Sequence, residues 1–306
     1  MSVGRRGFLL GACALPVLPA WADCAGKGRA ERMRSALSAG FGVQYWGTDF
    51  DTDHLAEAPH GLLILEATKI GAKDSSSGRE KRFTRQEIAR IRREGRPVLA
   101  YLNITEIEEW RDYGSADPND LAAAQLPDGG LLALWWEEEW QRILLARARD
   151  LMALGVDGLF LDDALHYWTT GQISGLDEGA PADVPEAARL LMRLVLRLTE
   201  SVGAADCEAL CVVNNAIFVG RDAGEAGLFD QYRTAIDGVL IEDALGGADH
   251  PDLHAALSED YLAHAVPVLS IDLEAPGQAQ AARTRGYVPY LVPDTDFSRL
   301  APPVTP

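Results

Sequence analysis

Short runs of apolar residues alternate along this chain with longer stretches in which apolar positions recur every three or four residues. Eight such runs stand out: VQYWG (43–47), GLLILEA (61–67), PVLAYLN (97–103), DGLFLDD (157–163), ALCVVNN (209–215), DGVLIED (237–243), PVLSIDL (267–273) and YVPYLV (287–292). Brief apolar runs bounded by Gly, Pro, Asp and Asn read as buried strands, and their alternation with helical periods predicts parallel strands joined by helices. Eight such units close a (β/α)8 barrel, and about 250 residues suffice for it, so residues 23–306 form one domain.

The intervening segments carry helix-end signals. Phe83-Thr84-Arg85-Gln86-Glu87-Ile88 offers an N-cap Thr, a Glu three positions on, and a Phe able to staple against Ile88, with Gly95 and Pro97 as stops. Asp183-Val184-Pro185-Glu186 opens a second helix whose apolar face is Leu190, Leu191, Leu194 and Leu198, with Gly203 as its expected end. Trp136–Leu154 is a third, and Asp294–Leu300 leaves room for two helical turns at most.

Two of the strands are near-copies. DGLFLDDAL begins at Asp157 and DGVLIEDAL begins at Asp237, about 80 residues further on. Residues two apart in a strand share a face, so Gly158, Phe160 and Asp162 point one way, and Gly238, Leu240 and Glu242 take the equivalent positions. These are the fourth and sixth strands, and alternate strands of a barrel feed the same interior layer. Asp162 and Glu242 therefore converge at the C-terminal ends of their strands, where the chemistry of this fold is done. Paired carboxylates there suit glycoside hydrolysis: roughly 5–5.5 Å apart for a retaining enzyme, roughly 6.5–9.5 Å for an inverting one. The competing reading is that each acid only caps a loop or binds an Arg. Asp163 and Asp243 have the opposite parity and read as loop caps; a metal site joining them to the inner acids and His166 is the alternative.

Further polar groups end other strands. Glu66, Asn103, Asn215 and Asp272 are candidates for hydrogen bonds to sugar hydroxyls or amides. Trp46, Trp110, Trp135, Trp136, Trp140 and Trp168 supply flat faces that suit pyranose rings, although Trp136 and Trp140 have the spacing of helix packing.

Composition narrows the picture. At 47% hydrophobic and 24% charged the chain has the makings of a sizeable core, and its net charge of −18 disfavours nucleic acid and anionic lipid. Arg5-Arg6, the apolar stretch Gly7–Pro19 and the Ala20-Trp21-Ala22 triplet have the three parts of an export signal over residues 1–22, of twin-arginine type, which predicts a periplasmic or extracellular protein. Leu10-Gly11-Ala12-Cys13 offers a lipoprotein processing box as a second possibility. After signal removal Cys24, Cys207 and Cys211 permit one disulfide with one thiol left over; Cys207 and Cys211 are close enough in sequence to pair, and Cys211 also reads as an apolar strand residue. No cysteine–histidine spacing suggests zinc, and no cofactor is expected.

PVLAYLNITEIEEWRDY, GVDGLFLDDALHYW with its preceding Trp-rich helix, VVNNAIF and AIDGVLIED together resemble glycoside hydrolase family 114, the endo-α-1,4-polygalactosaminidases, from about Val43 to Leu291. The resemblance implies an endo-acting barrel that cleaves galactosamine or N-acetylgalactosamine polysaccharide, with Asp162 as nucleophile, Glu242 as general acid/base, and Trp46, Glu66, Tyr101, Asn103, Asn215 and Asp272 about the sugar. A partly deacetylated polymer is cationic, which agrees with the acidic balance. Where the family reads YxSxGExE, this chain has Asn103 for Ser and Thr105 for Gly, and Leu165 replaces an acid three residues past Asp162. A non-catalytic carbohydrate-binding barrel of a polysaccharide export system is the alternative function.

Overall fold

The computed structural model describes residues 26–46, 51–68, 82–93, 95–108, 111, 113, 116–176, 179–246 and 250–304. The expected export signal, Cys13, Cys24 and Trp110 lie outside them.

Among the described residues eleven strands form two sheets: β1 (Phe41–Gln44), β2 (Leu62–Leu65), β3 (Val98–Asn103), β4 (Glu106–Ile107), β5 (Ala122–Gln125), β6 (Leu131–Ala133), β7 (Gly158–Asp162), β8 (Leu210–Asn214), β9 (Gly238–Glu242), β10 (Val268–Leu273) and β11 (Val288–Val292). The main sheet runs β1-β2-β3-β7-β8-β9-β10-β11, with every neighbouring pair parallel. Its ends meet, since Tyr290 of β11 donates its hydroxyl to the Val43 carbonyl of β1 (3.4 Å). This is the expected (β/α)8 barrel; seven of its strands fall within the apolar runs, and β1 starts two residues before its run and overlaps it at Val43–Gln44.

Alternation sorts the side chains into two cores. Val43, Ile64, Leu99, Tyr101, Phe160, Leu210, Val212, Leu240, Leu269, Ile271 and Tyr290 fill the interior, while Leu63, Leu65, Val98, Ala100, Leu159, Leu161, Cys211, Val213, Val239 and Ile241 face the helices. The helix Gly26–Leu37 lies beneath the barrel and buries Met33 within the inner core.

The duplicated segments grip that floor with their first residues. Asp157, 2% exposed, takes Arg32, Arg92 (2.6 Å) and the Val98 N–H of the neighbouring strand (3.0 Å). Asp237 repeats the arrangement with Arg29 (3.2 Å) and the Cys211 N–H (2.8 Å). Crowding requires the first of the glycines that follow, since a Cβ on Gly158 would run into the Leu210 carbonyl, whereas one on Gly238 would meet the flexible ends of Leu269 and Met33 at 3.3 Å.

The helix expectations hold in one case and need correction in others. The helix Arg85–Arg92 starts at Thr84 with the full reciprocal cap to Glu87. The helix Val184–Ala205, capped by Asp183, passes through Gly203 and ends two residues later, because packing of its long apolar face outweighs one unfavourable glycine in the last turn. The third helix is Glu138–Ala153, so Trp136 precedes it. No disulfide joins Cys207 to Cys211; the latter is buried on the outer face of β8. Between β3 and β7 the chain makes an unforeseen excursion, a small antiparallel sheet β4-β6-β5, and residues 294–300 form no helix.

Candidate active site

Register fixes where the acids meet. Phe160 pairs with Val212 and Asn214 with Leu240, so Asp162, Asn214 and Glu242 emerge from three adjacent strands at the C-terminal rim on the inward face. Asn214 Nδ2 donates to Asp162 Oδ1 at 2.6 Å and to Glu242 Oε1 at 2.7 Å. One nitrogen holding both oxygens keeps them within about 5.3 Å of each other.

The three strands turn away in the same manner. Asp163, Asn215 and Asp243 follow them with φ of 55°, 59° and 55°, a left-handed backbone that Asn and Asp tolerate better than other side-chain-bearing residues. Each turn thus leaves the preceding residue aimed into the barrel mouth. Asp163 accepts from Asn103 Nδ2 (2.5 Å) and gives its carbonyl to Thr105 Oγ1 (2.6 Å); Asn215 Oδ1 accepts the Glu242 N–H (3.1 Å).

Electrostatics separates the two acids. Burial raises the pKa of Asp162, opposed by bonds from Asn214, the Asp163 N–H and Tyr101, all of which favour its charged form. Glu242 is raised by burial and then by the negative charge of Asp162, with Asn214 and Asn215 opposing. Asp163 is pushed well above the usual carboxylate range by burial and by Asp162, Glu106, Glu108 and Glu242. Below the acids lie the rings of Tyr45 and Tyr101, 4.8 Å apart, and Phe160. The Tyr45 hydroxyl is buried without a hydrogen-bond partner among the described residues, and burial, then Asp162 and Glu242, raise its pKa.

The other expected site residues divide. Trp46 is 37% exposed at the rim, its indole N–H held by Asp296 (3.0 Å). Tyr101 lies beneath Asp162, and Asn103 clamps Asp163 while its Oδ1 accepts the Glu106 N–H (2.8 Å). Glu66, expected to contact sugar, is instead 1% exposed and bonded to Arg111 (2.8 Å) and to Thr68. Arg111 also pairs with Glu108, whose pKa burial raises to about 7 against the pull of that guanidinium. Asn215 and Asp272, also expected at the sugar, cap backbone N–H groups, that of Leu245 in the case of Asp272 (2.7 Å). Both have the parity that turns away from the barrel axis, so loop geometry claims them.

Asn214 was not singled out from the sequence, although counting by twos from Leu210 gives it the inward position. Glu106 was also missed. It meets His166 Nε2 at 2.6 Å, and with Asp163 these residues bring three possible metal-ligand atoms within 4.8 Å of one another. They could hold a divalent cation beside the acid pair.

No family model matches the chain. A protein of Methanocaldococcus jannaschii is 24% identical over 136 residues, 42% of this chain and 37% of its own length, so the match spans little over a third of that relative. A protein of Deinococcus radiodurans is 25% identical over 320 residues, covering 93% of each chain; both relatives are described only as uncharacterized. Among solved structures, the glycoside hydrolase domain of PelA from Pseudomonas aeruginosa matches with a TM-score of 0.57 at 17% identity, covering 84% of this chain and 96% of that domain. Ega3 of Aspergillus fumigatus, crystallised with galactosamine, matches with a TM-score of 0.54 at 14% identity, covering 84% and 91%. At these identities the likeness is one of fold.

Proposed function

We propose that this protein is an exported, endo-acting glycoside hydrolase that cleaves galactosamine-containing polysaccharide with Asp162 and Glu242. The observation that carries the reading is the single Asn214 amide that bonds both carboxylates on the catalytic rim of the barrel and keeps the bonded oxygens no more than about 5.3 Å apart. A gap below the roughly 6.5–9.5 Å of inverting enzymes supports double displacement with retention. The likeness in fold to PelA and Ega3, the latter bound to galactosamine, supports the substrate class, and the net charge of −18 favours a cationic, partly deacetylated polymer. The twin-arginine sequence at Arg5-Arg6 supports export.

The roles follow from the hydrogen bonds. Asp162, with three groups stabilising its anion, attacks the anomeric carbon as Glu242 passes its proton to the departing glycosidic oxygen. Glu242 retains that proton to higher pH because it is buried and because Asp162 is charged beside it. Ionised Glu242 then takes a proton from water, the hydroxide adds to the same carbon, and the ester bond to Asp162 breaks. Asn103 and Asp163 set the loop that delivers Asp162.

The test is to incubate the protein with partially deacetylated α-1,4-galactosaminoglycan and analyse fragments by mass spectrometry. Internal cleavage is expected, and Asp162→Asn or Glu242→Gln should lower it by at least ~100-fold with an unchanged circular dichroism spectrum. Polymer binding without any fragments would replace the hydrolase with a binding barrel, and full activity in either variant would remove these acids from the mechanism.

A further inference from the structure

Among the described residues, the large apolar side chains left exposed are Trp46 (37%), Leu165 (46%), Trp168 (49%) and Leu273 (50%). All four follow or end barrel strands on the side where Asp162 and Glu242 open. Trp46 comes two residues after β1, Leu165 and Trp168 follow β7, and Leu273 closes β10. The acids occupy β7 and β9, so the barrel order sets Leu165 and Trp168 on the Asp162 side, Leu273 on the Glu242 side, and Trp46 across the mouth, three strands from each acid.

Trp168 has no packing role to explain its exposure. It belongs to the helix His166–Thr170, which is pinned through its other residues. Tyr167 is 1% exposed and donates to Asp222 at 2.6 Å; Thr170 is fully buried and accepts the Trp135 indole N–H at 2.9 Å. A short helix anchored on one face thus presents a tryptophan to solvent on the other. Trp135 and Trp140, by contrast, are buried, with their indole N–H groups bonded to Thr170 and to the Ile104 carbonyl. A half-exposed indole on a fixed support, beside Leu165 and six residues past Asp162, has the form of a stacking surface for the apolar face of a sugar ring.

We propose that Trp168, with Leu165, forms a carbohydrate-stacking platform on the Asp162 side of the site, with Leu273 on the Glu242 side and Trp46 on the far wall of the mouth. A polysaccharide then lies across the mouth with sugar residues held on both sides of the acids. This rests on the galactosaminoglycan reading above and adds to it a specificity-determining residue, Trp168, on a loop where the acid expected three residues after Asp162 has become Leu165.

The test measures binding apart from cleavage. In an Asp162→Asn background, partially deacetylated α-1,4-galactosaminoglycan should shift the tryptophan emission of the protein. Adding Trp168→Ala should weaken Kd about tenfold, and Trp168→Phe, which keeps an aromatic face, should stay within about threefold of the parent. Equal affinity in the Trp168→Ala protein overturns the platform while leaving the substrate reading standing. Equal losses in the Ala and Phe variants overturn stacking as the cause, and failure of the parent to bind the polymer overturns both readings together.

Discussion

Asn214 donates two hydrogen bonds from one nitrogen to two acids, and both bonds favour ionisation of their acceptors. Asn214→Ala should therefore move both limbs of the pH–rate profile to higher pH and lower kcat roughly 10–100-fold; a residue that merely filled space would leave the limbs where they are. The sequence displays the amide twice, as Asn214-Asn215, and reading the last polar residue of the run as the site residue chose the wrong one. Strand parity separates them: Asn214 shares its face with Leu210 and Val212, whereas Asn215 takes the left-handed turn and serves a backbone N–H. Glu66 and Asp272 mislead for a related reason. A carboxylate at a strand end looks the same in sequence whether it meets a ligand or a neighbouring loop, and only the tertiary structure brings Arg111 and the Leu245 N–H to them.

At the scale of elements, the duplicated segments are five-residue strands with different tasks at their two ends. Asp157 and Asp237 secure the floor, and Asp162 and Glu242 supply the mouth. Asp157→Ala would leave Arg32 and Arg92 without their buried partner and the Val98 N–H without an acceptor. It should cost roughly 3–5 kcal/mol in urea unfolding, far more than the loss of an exposed ion pair. Gly158→Ala should exceed the roughly 1–3 kcal/mol of ordinary overpacking, because the obstruction is the Leu210 backbone rather than a movable side chain. Apolar runs ending in turn residues made all eight barrel strands legible, and cap chemistry made the helix starting after Thr84 legible to the residue. The sheet β4-β6-β5 was not, since its strands are two to four residues long and one of them is only alanines and a glutamine. Strands that short carry too little alternation to be told from loop.

Across the whole molecule the burden of buried acid shapes the response to pH. Burial raises Glu108 to about 7 and Asp237 to about 6, and raises Asp162, Asp163, Glu242 and Asp272 as well. Between their unfolded and folded pKa values these groups hold protons that the unfolded chain has released, so their contribution to stability is complete at low pH and is lost as pH rises through the folded values. His60, lowered to about 4 by burial, acts in the opposite sense, because there the unfolded chain holds the extra proton below about pH 6.5. The acids outnumber it, so Tm should fall as pH rises from about 5 to above 7, and Glu108→Gln should remove part of that fall, as calorimetry across the range would read.

The inner core, completed from below by Met33, leaves no bore through the cylinder. Whatever reaches the acids therefore enters and leaves by the same opening. On the endo-acting reading proposed above, the earliest products should be long and falling in length, with monomer appearing last.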